Sequence, residues 1–468
     1  MKHVLFLAAS LVFCMYASLA FSDTKVWLIG GGNTLANSQG QIEENVKWLQ
    51  DILNEKGIEN YTYYTNGDDS ADDVVYFANP KERDPIHETL LRVFASGLDY
   101  AKKTKRNSIG KVDGSTEKAT LVASLEAQFA LVKPDDKVLI VYNGHGDIEP
   151  RDTRKNTLKL WGDTHLTVSE LDQLLDKIHP QATVNFVLTQ CFSGSFANLI
   201  YDNPYSDVRG EQQRCGFLAE SDRREAEGCD LGTNEADFRD YTTYFFAALA
   251  GKTRLGETIP AAQIDLDRSG DVSLSEAHFY ALASADSGDL SRSTSEFILE
   301  KEQPWYTRWD SRFTPNNSTY STIAASVAKR ENIAHSGQAL AREFYRRLQT
   351  ERALEHTLKQ HADLIKSLQE KLRNQVATTK EAVASLNIEQ QKLLAEQLQQ
   401  LPDYTQLTAE QNHHQDLNAN LLEAHRDTAQ AEKVLRLNHI ARLELHQSRE
   451  TSGDLQAVSH CEADIAFP

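Results

Sequence analysis

Two stretches of the sequence decide the fold: KVLIVYNGHGDI at residues 137–148 and ATVNFVLTQCFSGSF at residues 182–196. Each contains a short apolar run rich in β-branched residues, Val138–Tyr142 in the first and Val184–Leu188 in the second. Each run stops at a polar turn that contains glycine, which is typical of buried parallel strands. The intervening segment Leu166–Ile178 has a helix-like sequence and predicts the crossover that parallel neighbours need. The sequence therefore predicts an α/β fold built on a mostly parallel sheet.

A histidine and a cysteine follow these two strands. His145 lies between two glycines after the first strand, and Cys191 follows the second strand. Because the carboxyl ends of parallel strands meet at one edge of a sheet, the two side chains are expected to be neighbours. Residues 194–200 are expected to begin a helix whose N-terminal dipole favours the thiolate form of Cys191.

This pairing of residue types has a chemical meaning. A thiolate is a nucleophile, and an imidazole beside it can activate the thiol or protonate a leaving amine. Gly146 has no Cβ and lets a bound carbonyl come close, so its N–H and that of Cys191 are expected to form an oxyanion hole. A buried structural cysteine beside an unrelated loop histidine is the alternative interpretation.

The same residues resemble those of a known group of enzymes. Residues 142–146, Tyr-Asn-Gly-His-Gly, are similar to the strand–His–Gly motif of the caspase/legumain clan of cysteine peptidases. Residues 189–195, Thr-Gln-Cys-Phe-Ser-Gly-Ser, are similar to the clan's strand–Cys motif, and the Cys-x-Ser-Gly-Ser form is closest to legumain. The resemblance covers about residues 25–285. It implies a caspase-like sheet flanked by helices and a His–Cys dyad in an exported, bacterial-type member.

Two positions differ from the clan's usual pattern. Several clan members carry an acidic residue just before the cysteine, where this chain has Thr189 and Gln190. Legumain has a second glycine where this chain has Asp147. These differences leave the preferred residue at the cleavage site open.

The first 22 residues are typical of a secretory signal peptide. Lys2 and His3 precede the apolar stretch Val4–Leu19, and Ser18–Ala20 fits a small-x-small cleavage site. The apolar stretch is short for a membrane span of about 20 residues. The formal net charge of −19 over 468 residues argues against nucleic acid or anionic lipid as a partner. We therefore expect a secreted or periplasmic protein with no stable membrane span.

The chain has five cysteines, one of them within the predicted signal peptide. An exported protein can hold a disulfide, so a bridge between Cys215 and Cys229 that closes a polar loop is predicted, with two free thiols as the alternative. Cys461 has no evident partner and lies in a tail, residues 451–468, that is expected to be loose. Its role stays open between a bridge to another chain and a free thiol.

Residues 265–276, DLDRSGDVSLSE, match the pattern of an EF-hand calcium loop. Side-chain oxygens fall at positions 1, 3, 5, 9 and 12, glycine falls at position 6, and position 7 offers a carbonyl. The predicted ligands are Asp265, Asp267, Ser269, Asp271, Ser273 and Glu276. A single loop far in sequence from the dyad indicates a structural Ca²⁺ rather than a sensor, and an acidic turn without a metal is the alternative.

Residues 323–450 consist almost entirely of helix-forming residues, interrupted at Pro402. Apolar residues recur at spacings of three and four, which predicts a long-helix hairpin or bundle with a coiled-coil seam. Such an arm could cover the peptidase domain, self-associate or bind a partner. The predicted organisation is a signal peptide (1–22), a peptidase domain with the calcium loop (23–285), a linker (286–322), the helical arm (323–450) and the tail (451–468).

Together these features predict an exported cysteine endopeptidase that hydrolyses protein or peptide substrates through a thioester on Cys191. A catalytically silent, caspase-like scaffold that binds calcium and presents the helical arm is the main alternative. A transpeptidase would pass through the same thioester, so the sequence does not separate it from a hydrolase. The physiological substrate, any zymogen activation and the oligomeric state stay open.

Overall fold

The computed structural model describes residues 24–79, 84–95, 101–303, 318–447 and 453–468. The predicted signal peptide lies outside the described residues. The strands are β1 (Thr24–Gly31), β2 (Glu59–Tyr64), β3 (Val74–Phe77), β4 (Lys102–Lys105), β5 (Lys137–Gly144), β6 (Gly146–Asp147), β7 (Thr157–Leu160), β8 (Thr164–Thr167), β9 (Thr183–Leu188), β10 (Arg214–Leu218), β11 (Val272–Ser273), β12 (Arg292–Ser293) and β13 (Ala466–Phe467).

Helices connect and cover these strands. They are α1 (Gly40–Glu55), α2 (Pro85–Phe94), α3 (Lys118–Phe129), α4 (Val168–Leu175), α5 (Tyr241–Ala250), α6 (Ala261–Ile264), α7 (Leu274–Ser284), α8 (Thr294–Lys301), α9 (Thr319–Arg330), α10 (Gly337–Gln375), α11 (Lys380–Ala384), α12 (Ile388–Gln399), α13 (Pro402–Gln447) and α14 (Gly453–Asp464). The predicted crossover helix is α4, which starts at Val168 because Thr167 and Glu170 form a capping box there.

The central sheet has six strands in the order β12-β10-β9-β5-β1-β2. Five of them are parallel, and only β12 pairs antiparallel, with β10. β5 and β9 are direct neighbours, with a register that runs from Lys137 opposite Thr183 to Tyr142 opposite Leu188. The predicted α/β fold with a mostly parallel sheet flanked by helices is confirmed.

Both faces of this sheet are buried, which explains why its strands read as continuous apolar runs. Ile140 and Phe186 belong to the face that packs on α3 and α4, whereas Leu139 and Val187 belong to the face that packs on α1, α5 and α7. Because β5 and β9 are parallel neighbours, the turns that follow them lie at the same end of the sheet.

The predicted pair of long helices is confirmed in α10 and α13, which have 39 and 46 residues and pack against each other. The second half of α13 also packs on the α/β domain, where Leu437 and Ile440 share a core with Leu282 of α7 and Val327 of α9. The arm is therefore attached to the domain through a buried apolar interface. Among the described residues, no helix combines the length and apolar character needed to cross a membrane.

The expectation of a loose tail is wrong. Residues 453–464 form α14, and Val458, Cys461, Ile465 and Phe467 are fully buried. β13 then pairs antiparallel with β11 of the predicted calcium loop. Buried apolar side chains, the Cys461 disulfide and hydrogen bonds from Thr294 and Ser295 to Glu462 hold this short segment in the core.

The predicted disulfide between Cys215 and Cys229 is also wrong. Cys215 is bonded to Cys461, across 246 residues of sequence, and Cys229 is a free thiol. The physical reason is that Cys215, on β10, belongs to the apolar cluster on one face of the sheet, while Cys229 packs on the cluster of the opposite face. The bridge therefore fixes the role of Cys461 and ties α14 to the central sheet.

Candidate active site

The sheet topology brings the two predicted motifs into contact. His145 follows β5 and Cys191 lies three residues beyond the end of β9, at the same edge of the sheet. A Cβ added to Gly146 would lie 2.1 Å from the carbonyl oxygen of Cys191 and 2.8 Å from Cγ of Gln190. Glycine is required at position 146 because the two segments pack there backbone to backbone.

The imidazole of His145 is oriented by the turn that follows β1. Its Nε2 lies 2.8 Å from the carbonyl oxygen of Asn37 and 2.7 Å from Oε1 of Gln39. A carbonyl oxygen can only accept, so Nε2 carries the proton and Nδ1 is the basic nitrogen of the neutral ring. Burial lowers the pKa of His145, and the nearby charge of Lys159 lowers it further, although the bond to Asn37 opposes both.

Cys191 is half-buried beneath a segment from a distant part of the loop region. Its Sγ accepts a hydrogen bond from the Ala226 N–H at 3.3 Å and lies 3.8 Å from the Ala226 carbonyl oxygen. Burial raises the pKa of the Cys191 thiol to about 11, and the charges of Glu225 and Asp289 add to the rise. Burial therefore favours the neutral thiol, in contrast to the thiolate that the sequence predicts from the helix end.

The raised pKa of the Cys191 thiol and the lowered pKa of the His145 imidazole both favour the uncharged forms of the pair. In the described structure His145 and Cys191 do not hydrogen-bond to each other; Nε2 of His145 contacts Asn37 and Gln39, and Sγ of Cys191 contacts Ala226. Apo geometry of this kind is common in catalytic pairs, which tighten when substrate binds. The arrangement suits a histidine that removes the thiol proton during attack rather than a preformed ion pair.

The residue after Cys191 adopts an unusual backbone conformation. Phe192 has φ +59°, in the left-handed region that bulky residues rarely adopt. Its N–H donates to the carbonyl of Arg224 at 2.8 Å, and its carbonyl accepts from Nδ2 of Asn156 at 3.3 Å. These contacts hold a sharp turn before the 3₁₀ helix Ser193–Ile200, and strain of this kind is concentrated at functional sites.

The amide of Gly146 is directed away from its neighbouring strand. Gly146 lies opposite Leu158 in the β6–β7 pair, while the ladder bond runs from Lys159 N to the carbonyl of His145 at 2.8 Å. Gly146 therefore occupies a position whose N–H does not point at β7. The same residue packs against the Cys191 backbone.

A covering segment, residues 224–230, lies over Cys191 and is held by the helical arm. Arg426 of α13 binds Glu227 through its Nε and Nη2 atoms at 3.0–3.2 Å. Arg224 binds Glu432 of α13 at 2.7 Å. Two ion pairs thus connect α13 to the residues on either side of Ala226.

The sequence did not reveal three groups of this site: Asn37, Gln39 and Ala226. The first two follow β1, which lies beside β5 in the sheet, so a caspase-like strand order would have placed their turn near His145. Ala226 lies in a long charged segment without periodicity, and no local signal indicates which of its residues contacts Cys191.

The predicted calcium loop brings three of its six proposed ligands together. Carboxylate oxygens of Asp265, Asp267 and Glu276 lie within 4.8 Å of one another, and Gly270 has φ +95° at the turn. Glu276 also caps α7, where its Oε2 accepts from Ser273 N at 2.9 Å and Oγ at 2.7 Å. An oxygen-only donor set in this arrangement fits a hard cation such as Ca²⁺.

The remaining predicted ligands lie outside this group of three carboxylates. The hydroxyl of Ser269 donates to the carbonyl of Asp271 at 3.1 Å, and the hydroxyl of Ser273 serves the helix cap. The preceding helix, α6, has four residues, and β11 pairs with β13 rather than with a second calcium loop.

No protein-family model and no curated protein matches the chain. Among solved structures, the chain is similar to the crystal structure of protein GSU0716 from Geobacter sulfurreducens, with 12% sequence identity and a TM-score of 0.30. That match covers 48% of this chain and 81% of the other.

Proposed function

We propose that the protein is a cysteine endopeptidase in which Cys191 is the nucleophile and His145 the proton carrier. The observation that carries the proposal is the direct packing of Gly146 on the Cys191 backbone, which joins the two strand ends into one site. The orientation of His145 by Asn37 supports it, because a base must be held in one tautomer. The substrate class is a protein or peptide.

The proposed reaction begins when the peptide carbonyl reaches Sγ of Cys191. Nδ1 of His145 removes the thiol proton while sulfur attacks the carbonyl carbon, and the oxyanion is stabilised by the N–H groups of Gly146 and Cys191. His145 then gives its proton to the leaving amine, which leaves a thioester on Cys191. Water, activated by the same histidine, hydrolyses the thioester, whereas an amine in its place would give transpeptidation.

One observation favours the silent scaffold as a second candidate. The Cys191 thiol is covered by Ala226, and its pKa is raised to about 11, so the resting cysteine is a poor nucleophile. A protein with this geometry throughout its life would bind calcium and partners without cleaving them. The difference between the two functions therefore lies in whether residues 224–230 ever leave Sγ.

We also propose that the protein is exported and binds structural Ca²⁺ at the loop 265–276. The disulfide between Cys215 and Cys229 that the sequence suggested is absent, but the Cys215–Cys461 bond supports an oxidising compartment equally well. The oxygen-rich group of Asp265, Asp267 and Glu276 supports the metal. The net charge of −19 gives no support for a nucleic-acid partner.

The test compares the exported chain with its Cys191→Ala variant on a diverse peptide pool, with products identified by mass spectrometry. Cys229→Ala is the matched control, because it removes the other free thiol. We expect cleavage by the parent and by Cys229→Ala but not by Cys191→Ala. Identical products from all three proteins, or folded proteins that cleave nothing even after limited proteolysis of residues 224–230, would favour the scaffold.

A further inference from the structure

A cavity of about 680 Å³ lies between the helical arm and the covering segment. Its apolar floor comes from the two long helices of the arm, with Phe344 and Leu348 on α10 and Leu421 and Leu422 on α13. This volume is within the range of sites that bind small ligands or side chains. Neither the dyad nor the calcium loop contributes a residue to it.

The polar lining of this cavity is mostly acidic. Five carboxylates face one guanidinium and one imidazole; the acidic residues are Glu225, Asp230, Glu351, Glu355 and Glu432, and the others are Arg224 and His425. Glu432 is already paired with Arg224. The carboxylates of Glu225 and Glu355 form no ion pair within the described structure, so the cavity keeps an excess of negative charge.

One of these carboxylates is buried and only partly satisfied. Glu351 is 9% exposed, and its Oε1 lies 2.9 Å from Nδ1 of His425. Its Oε2 has no hydrogen-bond partner among the described residues. His425 is held in turn against Gly288, where an added Cβ would come within 2.6 Å of Cδ2 of the imidazole. A fixed, buried carboxylate oxygen without a donor favours a ligand that supplies one.

The cavity adjoins the proposed nucleophile. Arg224 and Glu225 line it and immediately precede Ala226, whose N–H lies 3.3 Å from Sγ of Cys191. The carbonyl of Arg224 accepts from Phe192 N, the residue after the nucleophile. A peptide whose carbonyl is at Sγ can therefore direct a neighbouring side chain toward the carboxylates.

We propose that this cavity binds a cationic side chain, arginine or lysine, close to the bond that is cleaved. The inference rests on the proposed peptidase function and names its substrate class. A guanidinium or ammonium group supplies the donors that Glu351 lacks, and its alkyl chain packs on the leucines and phenylalanine of the floor. The arm thereby contributes to substrate selection as well as to the cover over Cys191.

The test measures binding without turnover, on the full chain carrying Cys191→Ala. An arginine peptide is compared by calorimetry with the same peptide containing citrulline, which is nearly isosteric but uncharged. We expect the arginine peptide to bind at least about tenfold more tightly, as for hydrogen bonds to a charged group. Glu351→Gln in this background should remove most of that preference.

Two further variants keep the result interpretable. Glu355→Gln changes an exposed carboxylate of the same cavity and serves if Glu351→Gln unfolds, while Glu370→Gln changes an exposed carboxylate on α10 outside the cavity. Equal binding of the two peptides, or no binding of either, overturns the proposal even if the parent cleaves peptides. A preference that Glu370→Gln reduces as much as Glu351→Gln also overturns it. Arginine-selective binding without cleavage by the parent would instead count against the peptidase alone.

Discussion

The region around Cys191 and the predicted calcium loop are built in opposite ways. The loop takes its three clustered carboxylates from 12 consecutive residues, whereas Cys191 is contacted by Ala226, 35 residues away, and its covering segment is held by Glu432. His145 is oriented by Asn37, 108 residues away. The loop can be recognised from a local sequence motif. The region around Cys191 forms only when the whole chain has folded. Its behaviour should therefore depend on residues far from the motif.

The largest expected effect is on peptide cleavage at the site that contains His145 and Cys191. His145→Ala removes the proton carrier, so kcat/KM for peptide cleavage should fall by about 10²–10⁴-fold. His165→Ala is the control, because His165 is an exposed histidine on β8. Equal losses in both variants, or activity that survives without His145, would mean that another group moves the proton.

The next largest effect is expected on the stability that Ca²⁺ gives through the predicted calcium loop, residues 265–276. Ca²⁺ at a hundredfold excess over its Kd should add about 2.7 kcal/mol to the free energy of unfolding. Asp265→Asn should abolish this increase, whereas Glu257→Gln, an exposed acidic residue outside the loop, should not. The measurement is thermal or urea unfolding with Ca²⁺ and with a chelator.

Iodoacetamide labelling of Cys191, followed in the same experiment, tests whether the predicted calcium loop and the region around Cys191 are independent of each other. A labelling rate that is the same with and without Ca²⁺ would show that the loop is structurally separate from the region around Cys191. Labelling that changes with Ca²⁺ would show coupling, for which the β11–β13 pair and the disulfide to β10 provide a path. An absence of any stability change would contradict the metal site itself.

A smaller effect is expected from the clamp between α13 and the covering segment. Arg426→Gln breaks the two-pronged ion pair with Glu227, so Sγ should be exposed more often and its pKa should fall towards the ordinary value. Alkylation of Cys191 at neutral pH should become on the order of tenfold faster. Arg346→Gln breaks an exposed ion pair with Glu343 on α10 and should leave the rate unchanged.

The smallest effect is expected at Gln190, which is fully buried and whose amide nitrogen and oxygen have no partner among the described residues. Gln190→Met should change the free energy of unfolding by less than about 1 kcal/mol, because no hydrogen bond is lost. Asn143→Leu should cost about 1–3 kcal/mol, since its Nδ2 donates to Thr189 and Thr242. A large loss of activity without a loss of stability in Gln190→Met would assign that amide to substrate.

The sequence predicted those parts of the molecule that depend on neighbouring residues. The strands around Val138–Tyr142 and Val184–Leu188 and the long helices of the arm follow from residue type and periodicity, and the structure confirms them. The catalytic and metal-binding roles stay predictions.

The errors share one physical cause. The tail is short and lies far in sequence from the sheet, and its described part, residues 453–468, is held in the core by contacts that include a bond to Cys215, 246 residues earlier. The pairing of Cys215 with Cys229 was inferred from closeness in sequence, although the sheet separates them. A helix end suggests a thiolate at Cys191, but burial of the thiol raises its pKa, and the charges of Glu225 and Asp289 add to the rise. Contacts of this kind are set by tertiary structure and leave no local pattern.

The bond between Cys215 and Cys461 also constrains the order in which parts of the chain can fold during synthesis. β10 lies inside the sheet, but the residues that cover its cysteine leave the ribosome 246 positions later. In a nascent chain β1, β5 and β9 can thus pair before Val458 and Cys461, which cover part of one face of the sheet, have been synthesised. During that interval the thiol of Cys215 lacks its native partner, so the bond to Cys461 can form only after nearly the whole chain has been synthesised.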